Sequence, residues 1–215
     1  MGDEPVREQV PAPIGVADDV PALEPAPRSR VRMVVLAALL VVGLVGAAIL
    51  GTAGWRVVRE KDARLSTPEE VAGMRRDRTT QAQETAEYLR AALAAGVNLD
   101  SSVGAVYEDP AARDRSVLFF GGTGLLLSPG RKLDTVFRLL ADENGGVAGI
   151  REVPAGRLGG VMRCGRTATP DDGGDMAVCG WADHGSVAAA LFENRSTDDS
   201  ARLLRSIRAA VQTRS

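Results

Sequence analysis

GVMRCGRTATPDDGGDMAVCGWADHGSVAAALFE, residues 160–193, is the stretch on which the fold turns. Pairing Gly159–Arg166 with Asp175–Ala182 about TPDDGG, residues 169–174, makes a β-hairpin, because Pro, Asp and Gly in that density are turn chemistry. The register that puts Cys164 opposite Cys179 also puts Met162 opposite Trp181. Side-chain alternation then places all four residues on one sheet face. The two cysteines are positioned for a cross-strand disulfide, and closing a loop of about 15 residues stabilises by about 3 kcal/mol on the chain-entropy model. Asp183-His184-Gly185-Ser186 becomes a tight turn into a third strand, with Gly185 suited to a positive φ, Asp183 bonding nearby N–H groups and His184 at an exposed tip.

The same residues invite three chemical readings. Cys164, Cys179, Asp183 and His184 could be a zinc set, but the spacing fits no common zinc pattern. An extended strand also carries Cys179 and His184 about 16 Å apart. Thiol–disulfide catalysis by Cys164 and Cys179 lacks a C-x-x-C motif, and nothing nearby marks a low-pKa thiolate. A hydrolytic triad lacks the G-x-S-x-G elbow. FFGGTG, residues 119–124, misses the spacing and the Gly-Lys-Ser/Thr ending of a phosphate loop and reads as a strand exit. The sequence thus assigns no catalytic residue, no metal ligand and no cofactor.

Working outward, Ala82, Ala86, Leu89 and Leu93 repeat at helical spacing and predict a helix over 80–95 with Gly96 as its C-cap. Strands follow near 104–109 and 116–122. Ser128-Pro129 opens a helix whose apolar stripe is Leu133, Val136, Phe137 and Leu140. Further strands are expected at 147–153, 159–166, 175–182 and 187–193, then a helix from about 198 to 212 behind a Ser196/Thr197 cap. This is an α+β order with short connections, so an antiparallel sheet of about five to six strands packed with helices is expected. Arg202, Arg205 and Arg208 form a basic stripe read as a solvated face, with anionic headgroups or an acidic partner as the alternative.

Upstream, MVVLAALLVVGLVGAAILGTAGW, residues 33–55, carries no charge. As a helix it extends roughly 34 Å, enough to cross a hydrocarbon core of about 30 Å. It exceeds a signal peptide's apolar run of about 7–15 residues and is preceded by thirty residues, so an uncleaved single-pass anchor in the lipid bilayer is expected. Gly43, Ala47 and Gly51 lie four apart and would let a second copy approach, a route to a homo-oligomer. Residues 1–30 combine Pro, Ala and acids without periodicity and read as a disordered cytosolic tail. Residues 31–55 are the membrane helix, 56–78 a charged connector with a short helix capped by Thr67-Pro68-Glu69-Glu70, and 79–215 the extracytoplasmic domain. Basic residues flank both ends of the span. The orientation with the N-terminus inside rests instead on the two cysteines, which can pair in an oxidising compartment. A net charge of −2 and the lack of a basic patch with interleaved aromatics exclude a nucleic-acid partner.

GRLGGVMRCG, residues 156–165, followed by MAVCGWADHGSVAAALFENRS, residues 176–196, resembles a group of uncharacterised actinobacterial single-pass membrane proteins. The likeness spans roughly 65–212. It implies a bacterial surface protein with a paired-cysteine extracytoplasmic domain and supplies no catalytic residue. The function expected is a non-catalytic binding or scaffolding domain acting on an envelope protein, lipid or small ligand. A thiol–disulfide enzyme and a sensor relaying through helix association are the alternatives.

Overall fold

The computed structural model describes residues 28–140, 146–167 and 176–214. Most of the expected tail and the turn at 169–174 lie outside the described residues. The chain divides into two units between Ala47 and Ala48. That boundary falls within α1, Arg28–Glu60, a helix that starts earlier than the expected span and takes in three residues assigned to the tail. Its described apolar side chains from Met33 to Trp55 are exposed, Leu50 at 74 % among them. It is long and apolar enough to cross a membrane.

After α1 come β1 (Ala63–Leu65), β2 (Glu70–Val71), β3 (Met74–Arg76), α2 (Thr80–Gly96), β4 (Ser101–Asp109) and β5 (Ala112–Thr123). The order continues with α3 (Pro129–Leu139), β6 (Ala148–Glu152), β7 (Val161–Thr167), β8 (Met176–Ala182), β9 (Ser186–Phe192), α4 (Thr197–Val211) and β10 (Gln212–Arg214). The fold is α+β, with an eight-stranded antiparallel sheet ordered β2-β3-β4-β5-β9-β8-β7-β6 and a separate β1-β10 pair.

The sheet is larger than expected because the segment read as a connector supplies β2 and β3. Helix-start chemistry at residues 66–70 loses to tertiary burial there. Val71 and Met74 enter the core beside Tyr107, and the two residues between them, Ala72 (φ 50°) and Gly73 (φ 81°), form a two-residue hairpin turn. Tyr107 fixes the segment by donating its hydroxyl to the Pro68 carbonyl at 3.0 Å. Burial pushes the Tyr107 phenol up to about 12.

Helices cover both faces of the sheet. On one, α2 and α3 bury Leu93, Leu133, Val136 and Phe137 against Phe120, Val178 and Ala189. On the other, α4 buries Leu204, Ile207 and Val211 against Phe119, Met162, Trp181 and the two cysteines. Caps set the ends of these helices: Thr79 accepts the Ala82 N–H for α2 and Ser196 the Asp199 N–H for α4. Gly121 and Gly122 of FFGGTG lie inside β5, where a Cβ would come within 2.5 Å of Ala188 and of Leu99 respectively. They serve close strand packing.

Candidate functional site

The hairpin of β7 and β8 has Cys164 opposite Cys179 and Met162 opposite Trp181. The cysteine sulfurs lie 2.00 Å apart in a disulfide, and both residues are fully buried. Trp181 stacks on Phe119 across the same face, with ring centroids 5.9 Å apart. Alternation along β8 keeps Ala177, Cys179 and Trp181 in this layer and turns Val178 and Ala182 to the other face, and the chain then turns through residues 183–186 into β9.

That turn is interior, which corrects the reading of His184 as an exposed tip. Asp183 and Ser186 are fully buried. Asp183 Oδ1 accepts from the Gly185 N–H (2.9 Å), the Ser186 N–H (2.7 Å) and the Ser186 hydroxyl (3.0 Å). Its Oδ2 accepts from Arg208 Nη2 (2.8 Å), Gln212 Nε2 (2.7 Å) and Arg214 Nη2 (2.8 Å). Trp181 Nε1 donates to the Ser186 hydroxyl, so the indole and the carboxylate share one network.

Arg208 is the second correction. Only 1 % exposed, it leaves the solvated stripe to Arg202 and Arg205 and stretches across the interior. Nε donates to Gln212 Oε1 (2.8 Å) and Nη1 to the Gly159 carbonyl (2.8 Å), while Cζ stands 5.3 Å from the Trp181 ring centroid. Burial alone would raise the Asp183 pKa. Donation from Gln212 and Gly185, the charge of Arg208 and donation from Arg214 outweigh it, so the carboxyl is held below its ordinary value.

The last residue of α1 closes the cluster. Glu60 Oε2 accepts the His184 N–H at 3.0 Å, and His184 Nδ1 donates to the Leu126 carbonyl at 3.0 Å. A Cβ on Gly185 would fall 1.7 Å from the Glu60 carbonyl oxygen, so only glycine permits this approach. β1 then leaves α1 and pairs with β10, which supplies Arg214.

No family model, curated protein or solved structure matches this chain. What the Asp183 carboxylate can do follows from the saturation of its oxygens, while the buried Arg214 Nε beside it finds no partner among the described residues. Six protein donors fill the Asp183 oxygens, and two arginines balance Asp183 and Glu60, a composition that resists both proton transfer and ligand exchange and suits a strut. His184 meets the Leu126 carbonyl through Nδ1, so the Ser-His-Asp sequence neighbours are not in triad order. Cys164 and Cys179 bond each other, which takes them out of the zinc set with Asp183 and His184. Among the described residues no group of three His, Cys, Asp or Glu side chains is placed to hold a metal ion. Gly43, Ala47 and Gly51 all lie on exposed positions of α1.

Sequence reasoning missed Arg208, Gln212, Arg214 and Glu60. Arg208 had a legible signal, since it lies four residues after Leu204 and three before Val211, on the stripe that faces inward. Glu60 and Arg214 had none, because their partners lie more than thirty residues away in the chain or across the β1-β10 pairing.

Proposed function

We propose that this chain is a single-pass, membrane-anchored protein of the bacterial envelope. In this reading the α+β domain lies outside the cytoplasm and binds or scaffolds an envelope protein, a lipid or a small ligand without catalysis. The observation that carries the reading is α1, whose apolar side chains are unburied over a bilayer-spanning length. The disulfide supports the extracytoplasmic side, since such bonds persist in oxidising compartments. The resemblance of residues 156–196 to actinobacterial surface proteins points the same way. Burial of the disulfide under Trp181 and Met162 weighs against thiol exchange, which needs an accessible sulfur.

Differential thiol labelling in intact cells tests this. A membrane-impermeant maleimide is followed by lysis, denaturation and a second tag with or without reductant. Cysteines silent to both tags until reduction fit a stapled domain outside the cell. Labelling by the first tag without reductant would mean exposed thiols and would return thiol chemistry to first place. Labelling by the second tag alone without reductant would overturn the stapled extracytoplasmic domain.

A further inference from the structure

Two features of the domain flank the end of α1, a groove that shares only Arg208 and Gln212 with the Asp183 cluster and a loop that meets it through Gly124 and Leu126. The first is a groove of about 750 Å³ between α4 and the loop before β7, lined by Arg157, Arg202, Arg205 and Arg208, with no carboxylate among its lining residues. Arg208 forms its floor and is consumed internally, whereas Arg157 is exposed. Arg205 lends one N–H to the Pro154 carbonyl, and Arg202 pairs with Asp199 of its own helix at the rim. The second is the loop between β5 and α3, where Leu125 and Leu127 are 59 % and 76 % exposed on either side of buried Leu126. Arg131 and Lys132 follow in the first turn of α3.

Both features are tied to the last turn of α1. The Leu126 N–H donates to the His184 carbonyl (2.9 Å) and the Gly124 N–H to that of Gly185 (3.1 Å). His184 in turn donates to Glu60. On the groove side Arg208 holds the Gly159 carbonyl, and a Cβ on Gly159 would lie 3.7 Å from Glu60 Oε1. Along α4, Arg205 stands about 4.5 Å from Arg208 and Arg202 about 9 Å. Glu60 follows Trp55 by five residues, about 7.5 Å of helix, and the Arg59 guanidinium lies over the Trp55 ring as at a membrane interface. The apolar loop and the Arg208 end of the groove are thus both connected to Glu60, five residues beyond Trp55 at the end of the candidate span.

We propose that this end of the domain is a binding site for the phosphate groups of anionic phospholipids in the leaflet α1 leaves. Arg157, Arg202 and Arg205 take the headgroup charge, and Leu125 and Leu127 enter the acyl boundary. Guanidinium forks match phosphate oxygens, and two leucines beside basic residues are the pairing that holds interfacial segments on anionic membranes. The proposal rests on α1 being a membrane anchor.

The test uses the oxidised full chain in vesicles whose acyl chains carry a quencher, prepared with and without phosphatidylglycerol. A fluorophore is placed singly at Leu127→Cys, Val45→Cys or Tyr88→Cys. Val45 reports the anchor, and Tyr88 is an exposed site on α2. We expect quenching at Val45 in both lipids, quenching at Leu127 that rises about twofold or more with phosphatidylglycerol, and none at Tyr88. Arg157→Ala with Arg205→Ala should remove the phosphatidylglycerol dependence at Leu127 and leave Val45 unchanged. Val45 quenched with Leu127 dark to lipid would overturn the site and leave the anchor standing, whereas an unquenched Val45 would overturn the anchor itself. Inorganic phosphate binding that requires Arg157 and Arg205, without lipid quenching at Leu127, would assign the groove to a soluble anion and overturn the lipid source.

Discussion

At Asp183, one carboxylate gathers donors from a turn, from α4 and from β10. Asp183→Asn leaves Arg208 and Arg214 buried or half-buried without their counter-charge, and breaking such a pair costs about 3–5 kcal/mol. A urea midpoint at neutral pH measures it, and a loss below about 1 kcal/mol would deny the strut role. The pH dependence has a definite sign. Because the folded pKa is depressed, the stabilisation is complete above the unfolded value of about 3.9 and is lost as pH falls through the lower folded value. Wild-type stability should therefore decline below about pH 4, and Asp183→Asn should flatten that acid limb. Gly185→Ala adds a Cβ 1.7 Å from the Glu60 carbonyl oxygen, and relieving the overlap should cost about 1–3 kcal/mol. Hydrogen exchange should speed at residues 61–66, next to the displaced helix end, while the α2 amides keep their protection.

Among the elements, the β7-β8 hairpin ties the disulfide to the aromatic layer. Cys164→Ser reopens the loop of 15 residues and should lower stability by about 2–4 kcal/mol in a denaturant titration of oxidised protein. An unchanged midpoint would mean that the bond carries no load. Gly73→Val forces a β-branched residue to φ 81° and should unpin β2 and β3, which loosened Val71 and Met74 amides would reveal. Strands β4 to β9 and the three domain helices were legible because local signals agree with tertiary fate: Leu133, Val136 and Phe137 at helical spacing, Cys164 and Cys179 equidistant from the Gly-rich stretch 169–174. β2 and β3 were hidden because Pro68-Glu69-Glu70 imitates a helix start, and the overriding fact is burial of Val71 and Met74 against Tyr107. β1 and β10 are three residues each and pair across nearly the whole domain, a contact that no local pattern encodes. The site followed the same rule. Asp183, Gly185 and Ser186 were legible as a turn, whereas its burial under Arg208 and Arg214 arises only when α4 and β10 arrive.

For the whole molecule, the small-residue face of α1 is the feature open to a second copy. A Cβ added at Gly43 or Gly51 meets nothing within 4 Å among the described residues, and leucine there would fill the groove a partner helix needs. Gly43→Leu with Gly51→Leu should abolish crosslinked dimers in membranes if α1 self-associates, and unchanged crosslinking would remove that route. β1 and β10 bear on the domain differently. Ala63 pairs with Arg214 at the open end of an antiparallel ladder, so tension between α1 and the far end of β10 meets the pairs one at a time. Peeling of this kind resists far less force than shear. Opening the pair would lift Arg214 and then Gln212 away from Asp183. If α1 is held in a membrane and β10 is pulled, this short ladder is the pairing that opens first.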